Sequence, residues 1–193
     1  ITFVSQGGAY QKAQTVAILD PSAKKLGITI NQDSIPDAWP AMKSQVASGK
    51  PTWDVVDVPT GNCLRGGEQG LVEKLDFAKL PNAAAMPEAY RSAYSVTYEF
   101  YSSVLAFSRK KFPDAAPSSW ADFWDVKKFP GRRALRNHPF ATLEAALMAD
   151  GVAPDKLYPL DVDRAFRKLE EIKPNVTVWW TSGAQSAQLL NDG

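Results

Sequence analysis

The sequence has very little of the chemistry on which disulfides, metal sites and histidine-based catalysis depend. Among its 193 residues there is one cysteine, Cys63, and one histidine, His138. A lone cysteine rules out an internal disulfide and a paired-cysteine metal site. A serine–histidine–acid triad would have to use His138, and no Gly-x-Ser-x-Gly motif accompanies it. None of these sites is therefore indicated.

A dominant charge and a long apolar run are also missing. Lysine and arginine together number 22, against 21 for aspartate and glutamate. This balance argues against nucleic acid or an anionic membrane as the main partner. No apolar window approaches the roughly 18 residues of a membrane span, and no signal-peptide pattern begins the chain. We therefore expect a protein that is cytosolic, or one whose leader has been removed.

Nucleotide-binding motifs are absent as well. Gly7 and Gly8 follow the first predicted strand, but the third glycine and the downstream acidic residue of a dinucleotide fingerprint are missing. The glycine pair can bring backbone N–H groups close to a ligand or can form a plain turn, and both interpretations stay open. No cofactor is predicted.

What the sequence does have is an alternation of strand and helix patterns. Strands are predicted in the stretches ITFVS, GITINQDS, WDVVDV, SSVLAFS, RRALR and NVTVWW, with helical patterns between most of them. This order predicts an α/β fold with mostly parallel sheets, divided into a first lobe at 1–105 and a second at 106–193. The second lobe has few strands for its helices, and the Asn-Asp-Gly ending is a turn signal, so we expect an N-terminal fragment.

Two helices of the second lobe have clear patterns. Ser119 and Asp122 predict a helix that begins at about Trp120 and buries an aromatic face, for which core packing is favoured over ligand binding. A later helix is predicted to bury one apolar stripe, which consists of Val162, Ala165, Phe166 and Leu169.

The order of several segments resembles that of extracellular solute-binding proteins of the spermidine/putrescine type, which serve ABC importers. The segments are FVSQGGAY, DVVDVPTGNCLRGGEQGLVEKLD, APSSWADFWDVKKFPGRRAL and VTVWWTSGAQSAQLLNDG. The resemblance implies a type II clamshell of two lobes that closes on a small ligand. It also implies a periplasmic location and a membrane permease as partner.

The resemblance also implies which residues contact the ligand. They are Gly7, Gly8 and Tyr10 after the first strand, Thr60, Gly61 and Asn62 in the loop after the third strand, Tyr98, Glu99, Phe100, Tyr101 and Ser102 at the crossover, and Asn137, His138, Trp180 and Ser182 in the second lobe.

The sequence departs from the polyamine binders in two places. It has Gly7-Gly8 where they use an aromatic residue, and Asn137 and Phe140 where they use acidic residues. A γ-aminobutyrate-like amino acid is therefore a better prediction than a diamine, because its carboxylate suits N–H donors and its ammonium suits Glu99 with aromatic walls.

Two other functions remain open at this level. Cys63 follows a strand and could act as the nucleophile of an enzyme on the same fold. More weakly, Tyr98, Tyr101 and His138 could bind a metal ion. The prediction is nevertheless a binding protein without catalysis.

Overall fold

The structure, a computed structural model, describes residues 1–192 and divides into two compact units, Ile1–Tyr101 and the part of the chain from Ser102 onward. Each unit combines helices with parallel strands, as the sequence predicts. The lobe limits of 1–105 and 106–193 remain a prediction, and the expected helix end at Gly193 lies outside the described residues.

The first unit contains, in chain order, β1 (Thr2–Ser5), α1 (Gly8–Gln14), a π-helical turn (Thr15–Leu19), α2 (Asp20–Leu26), β2 (Asn31–Ser34), α3 (Trp39–Ala47), β3 (Val55–Val56), α4 (Thr60–Glu68), α5 (Pro81–Ala84), β4 (Arg91–Ser92) and β5 (Ser95–Val96). Short 3₁₀ turns occur at Phe77–Lys79 and Glu88–Tyr90.

The main sheet of this unit has the strand order β2-β1-β3, with both pairs parallel. The central strand β1 is buried, and Phe3 and Val4 are 8% and 0% exposed. Because β1 and β3 pair in parallel, their carboxyl ends lie side by side.

Strand β3 is shorter than predicted, because only Val55 and Val56 pair with β1. Asp57 still donates its backbone N–H to the Val4 carbonyl at 2.8 Å. Pro59 then ends the extended segment, since proline has no N–H for a sheet ladder. The prediction of a loop at 60–62 is therefore wrong, because these residues form the first turn of α4.

The second unit contains α6 (Trp120–Trp124), β6 (Arg133–Arg136), α7 (Pro139–Ala149), α8 (Val162–Ile172), β7 (Val176–Trp180) and α9 (Gly183–Asp192), with 3₁₀ turns at Pro154–Lys156 and Lys173–Asn175. Strands β6 and β7 pair in parallel, with an irregularity between Arg133 and Ala134. The core packs on one face of this sheet, between β6, β7, α7 and α8.

The tryptophan helix forms as predicted. Ser119 Oγ accepts the Asp122 N–H at 3.1 Å, and α6 begins at Trp120. Phe123 and Trp124 pack against the core, and the Trp124 indole N–H donates to the Lys168 carbonyl at 2.9 Å. Core packing is thus the role of these two aromatic side chains.

The predicted stripe on α8 is only half right. Ala165 and Leu169 are buried together with Ile172, whereas Val162 and Phe166 are 44% and 54% exposed. The side chains of α8 that face α7 lie four and then three residues apart, so the buried stripe is narrower than the sequence pattern suggested.

The predicted strand at 102–108 is wrong as well. Within residues 1–192 this segment pairs with no strand and has no regular structure, and Val104 is 72% exposed. A strand needs a neighbour to accept and donate its backbone hydrogen bonds.

Helix lengths and hydropathy between residues 1 and 192 give no candidate for a membrane span.

Candidate functional site

Asp57, which directly follows β3, is the centre of a polar network in the first unit. Its Oδ2 accepts from the Tyr10 hydroxyl at 2.8 Å and from Gln14 Nε2 at 3.1 Å, and lies 3.2 Å from Ser5 Oγ. Ser5 Oγ also lies 2.7 Å from Gln14 Oε1. These side chains come from the carboxyl ends of β1 and β3 and from α1, which is where ligands bind in open α/β sheets.

The Tyr10 hydroxyl contacts a second carboxylate, that of Glu99. A phenol carries one proton, so it can donate to Asp57 or to Glu99 but not to both at once. Partial burial raises the pKa of Glu99. The first unit therefore presents two neighbouring carboxylates that share one donor. A cation bound between them would reduce their mutual repulsion.

Tyr98 joins this network through its hydroxyl group. Its hydroxyl accepts from Gln14 Nε2 at 2.5 Å. Burial, followed by the charge of Asp57, raises the pKa of Tyr98 far above its usual range. A tyrosine in this environment keeps its proton at neutral pH.

The remaining crossover residues are more exposed. Phe100 is 75% exposed and meets the Tyr90 ring edge-on, with 5.2 Å between centroids. Tyr101 is 61% exposed. Ser102 lies in the second unit, where it lines a cavity described below. Tyr10, Tyr98 and Glu99 are thus the predicted residues that the first unit brings together.

The Gly7-Gly8 pair lies beside a shallow depression of about 410 Å³ that Gln11, Asp33 and Ser34 also line. Both glycines have positive φ, 75° and 64°, which explains why glycine occurs where β1 turns into α1. The Gly7 N–H already donates to Gln11 Oε1 at 3.0 Å. The Gly7 N–H therefore has an acceptor within the protein, as in a plain turn.

Cys63 lies in α4, two residues after Gly61. Its side chain is partly buried, with Sγ 3.9 Å from the Val58 carbonyl oxygen. Burial, the largest cause, raises the pKa of the Cys63 thiol. A nucleophilic cysteine needs the opposite shift, because the thiolate is the reactive form.

In the second unit the predicted residues cluster at the carboxyl ends of β6 and β7. The Asn137 N–H donates to the Trp180 carbonyl at 2.8 Å. His138 Nδ1 accepts the Phe140 N–H at 3.1 Å and so caps α7, and Ser182 Oγ accepts the Gln185 N–H at 3.3 Å near the start of α9. His138 and Ser182 thus have local structural partners.

A cavity of about 670 Å³ lies on the sheet face opposite the core of this unit. Trp180, Val178 and Ala134 line it from the sheet, Trp120 from α6, and Leu190 from α9. Its size falls in the range of small-molecule sites.

No cluster of three or more histidine, cysteine, aspartate or glutamate side chains suited to a metal occurs in the described part of either unit.

Sequence analysis missed Asp57, Gln14 and Ser5. The signal for Asp57 was its position directly after a predicted strand, but the strand was expected to continue to the Pro-Thr-Gly-Asn segment. Ser5 carried a similar signal, because it ends the first predicted strand, whereas Gln14 carried none, because a buried glutamine is recognised only by its partners.

Comparison with known proteins gives a consistent result. Residues 17–193 match the sequence profile of a family described as "Bacterial extracellular solute-binding protein". A γ-aminobutyric acid-binding protein from Pseudomonas aeruginosa is 40% identical over 198 residues, which cover 100% of this chain and 56% of that protein.

Two solved structures are similar over the whole chain. An ABC transporter substrate-binding protein from Bradyrhizobium japonicum has 88% identity and a TM-score of 0.93. The protein MotA from Agrobacterium tumefaciens, solved in complex with glucopine, has 40% identity and a TM-score of 0.92. The chain covers 60% and 61% of these two structures, so it spans about six-tenths of the length of its relatives.

Proposed function

Since this chain belongs to the bacterial extracellular solute-binding protein family, we propose that its protein captures a small amine or amino acid for an ABC importer and catalyses no reaction. The family and the fold type that the sequence motifs suggested are both confirmed. The ligand, the importer and the periplasmic location of this particular protein are proposals.

The observation that carries the proposal is the pair of carboxylates around Tyr10. Asp57 and Glu99 both contact its single hydroxyl at the carboxyl ends of the sheet. A ligand ammonium would donate to whichever carboxylate the Tyr10 proton does not reach, and it would balance the charge of the pair. The Tyr98 ring beside them offers an aromatic face for the same cation.

An amine-containing ligand therefore fits the first unit. The curated relative from Pseudomonas aeruginosa bears γ-aminobutyric acid in its name, which supports a γ-amino acid as the ligand. We propose Tyr10, Asp57, Tyr98 and Glu99 as its amine contacts. The other residues proposed as contacts are those predicted from the sequence, namely Gly7, Gly8, Thr60, Gly61, Asn62, Phe100, Tyr101, Ser102, Asn137, His138, Trp180 and Ser182.

A ligand panel tests the proposal on the protein expressed from its complete gene. Thermal unfolding is followed with γ-aminobutyrate, 1,4-diaminobutane, spermidine and the common α-amino acids. A ligand at 100 times its Kd stabilises the native state by about 2.7 kcal/mol, so binders raise Tm measurably. If none of these compounds raises Tm, the proposal is wrong.

A matched pair of variants checks the site. Asp57→Asn keeps the shape of the side chain but removes one charge, and we expect at least a tenfold weaker Kd for the best ligand. Asp20→Asn removes an equal charge from the exposed start of α2 and should leave Kd unchanged. Equal Kd values for the two variants would remove Asp57 from the site.

The importer and the location need cellular tests. Cell fractionation of a strain that expresses the complete gene should recover the protein in the periplasm. Deleting the gene should abolish uptake of the ligand found in the panel. Recovery in the cytosol would contradict the location, and undiminished uptake would contradict the transport role.

A further inference from the structure

Arg136 and Trp180 form a cation–π pair at the carboxyl ends of β6 and β7 in the second unit. They are the last residues of β6 and β7 and lie opposite each other in the sheet register. The guanidinium carbon of Arg136 lies 5.9 Å from the centroid of the Trp180 ring. Both side chains are partly buried and line the 670 Å³ cavity.

The other partly or fully buried arginines of this unit have oxygen partners. Arg133 donates to three backbone carbonyls, and Arg164 pairs with Asp150 at 2.6 Å. Within residues 1–192, Arg136 has the Trp180 ring but no carboxylate and no carbonyl acceptor. It costs free energy to keep a partly desolvated guanidinium without an acceptor. An anion that binds there would therefore pair with a donor that has no acceptor in the free protein.

The acidic side chains of the cavity do not neutralise Arg136. They are Asp122 and Asp192. The two acidic groups already have partners. Asp122 accepts from Ser118 and Lys128, and Asp192 accepts from Gln188. Arg136 is therefore not neutralised from within its own cavity.

We infer that Arg136, held on the Trp180 ring, binds a carboxylate group of the ligand. This inference rests on the proposed function and narrows it, because it makes the ligand an amino acid and not a diamine or polyamine. An arginine fork matches the two oxygens of a carboxylate, whereas a second ammonium would meet like charge at the same place.

Two compounds of the same length test the inference directly. 4-Aminobutanoate and 4-aminobutanamide share their ammonium and three methylenes but differ in the charge at the other end. Kd is measured by calorimetry for both compounds, with the wild-type protein from the complete gene and with Arg136→Gln.

We expect Arg136→Gln to weaken 4-aminobutanoate about 10- to 100-fold, the range of one charge-assisted contact. The amide should bind the wild type and the variant within about twofold of each other. Arg136→Lys should recover part of the lost affinity, because it restores charge but not the fork. Arg167→Gln, an exposed charge removal on α8 outside the cavity, should change neither Kd.

Several outcomes would overturn the inference. One is an unchanged Kd for 4-aminobutanoate in Arg136→Gln, and another is an equal loss for acid and amide. A wild type that binds 1,4-diaminobutane but no amino acid would overturn the inference and leave the proposed function standing. A wild type that binds no amine and no amino acid would overturn both.

A second variant covers the case in which Arg136→Gln does not fold. Trp180→Phe keeps a ring beneath the guanidinium but weakens the cation–π contact. We expect a two- to tenfold loss for 4-aminobutanoate and a smaller change for the amide. A change of equal size for both compounds would again count against the carboxylate subsite.

Discussion

The guanidinium of Arg133 lies over the ring of Phe123 and also donates to the Phe123 carbonyl. The guanidinium carbon is 5.5 Å from the ring centroid, and the Nε–O distance is 3.0 Å. The same side chain donates to the carbonyls of Gly131 and Phe129. One buried arginine thus joins α6, the turn after it and β6.

Arg133→Met should lower the free energy of unfolding by about 2–3 kcal/mol, because three carbonyls lose a charged donor in a buried place. Arg133→Lys should lose most of this energy too, since a compact ammonium lacks the extended fork that reaches all three carbonyls. Urea unfolding measures both, with Arg167→Met as the exposed control. A loss below 0.5 kcal/mol in both Arg133 variants would contradict the prediction.

Asp122 gives a pH-dependent prediction. The backbone N–H of Ser118, followed by the Lys128 side chain, lowers the pKa of Asp122 to about 2. A carboxyl group whose pKa is lowered on folding stabilises the native state above its unfolded value of 3.8, and this stabilisation is lost as the pH falls toward 2. Asp122→Asn should therefore be less stable than wild type at pH 7 but equal to it near pH 2.

Unfolding curves from pH 2 to pH 7 check this convergence. Asp114→Asn, a change in an exposed loop, should track the wild type more closely throughout. A stability difference between Asp122→Asn and wild type that does not shrink toward acid would refute the electrostatic explanation.

Cys63 should react slowly with thiol reagents in the native protein. Burial raises the pKa of its thiol above the usual 9.0, so the thiolate fraction at pH 8 is below that of an ordinary cysteine. Labelling with a disulfide reagent at pH 8 should be at least tenfold faster after unfolding in guanidinium. Equally fast labelling of the native protein would reopen the nucleophile hypothesis.

Gly67 and Gly61 on α4 make a matched pair for packing. A methyl group on Gly67 would clash with the Tyr94 ring, whereas one on Gly61 would have nothing within 4 Å. Gly67→Ala should destabilise the protein by about 1–3 kcal/mol through overpacking. Gly61→Ala should be neutral or stabilise by up to about 1 kcal/mol, because alanine has the higher helix propensity. Equal effects would contradict this assignment of contacts.

Sequence signals were sufficient where structure is decided locally. Ser119 caps α6, because its hydroxyl oxygen accepts an N–H only three residues further along the chain. Strand β7 is a run of β-branched and aromatic residues. The strand at 102–108 was mispredicted for the opposite reason. Its pattern is apolar, but forming a strand depends on a distant partner, which local pattern cannot supply.

The candidate site shows the same limit. Tyr10, Tyr98 and Glu99 were predicted through the family resemblance, and the structure brings them into one network. Asp57, the residue that joins Tyr10 to Gln14, was missed because its partners lie up to 52 positions away in the chain. Arg136 was missed because a strand-end arginine looks solvated unless its neighbour is known.

The pairing of β6 with β7 has a consequence for the rate of folding. Arg133 pairs with Val176, so α7 and α8 both lie within the chain segment that must be brought into a closed loop before the two strands can pair. Closing such a loop has a high entropic cost, whereas the two helices contact each other at short separation along the chain. We therefore expect the α7–α8 hairpin to form early and the edge that carries Arg136 and Trp180 to form late.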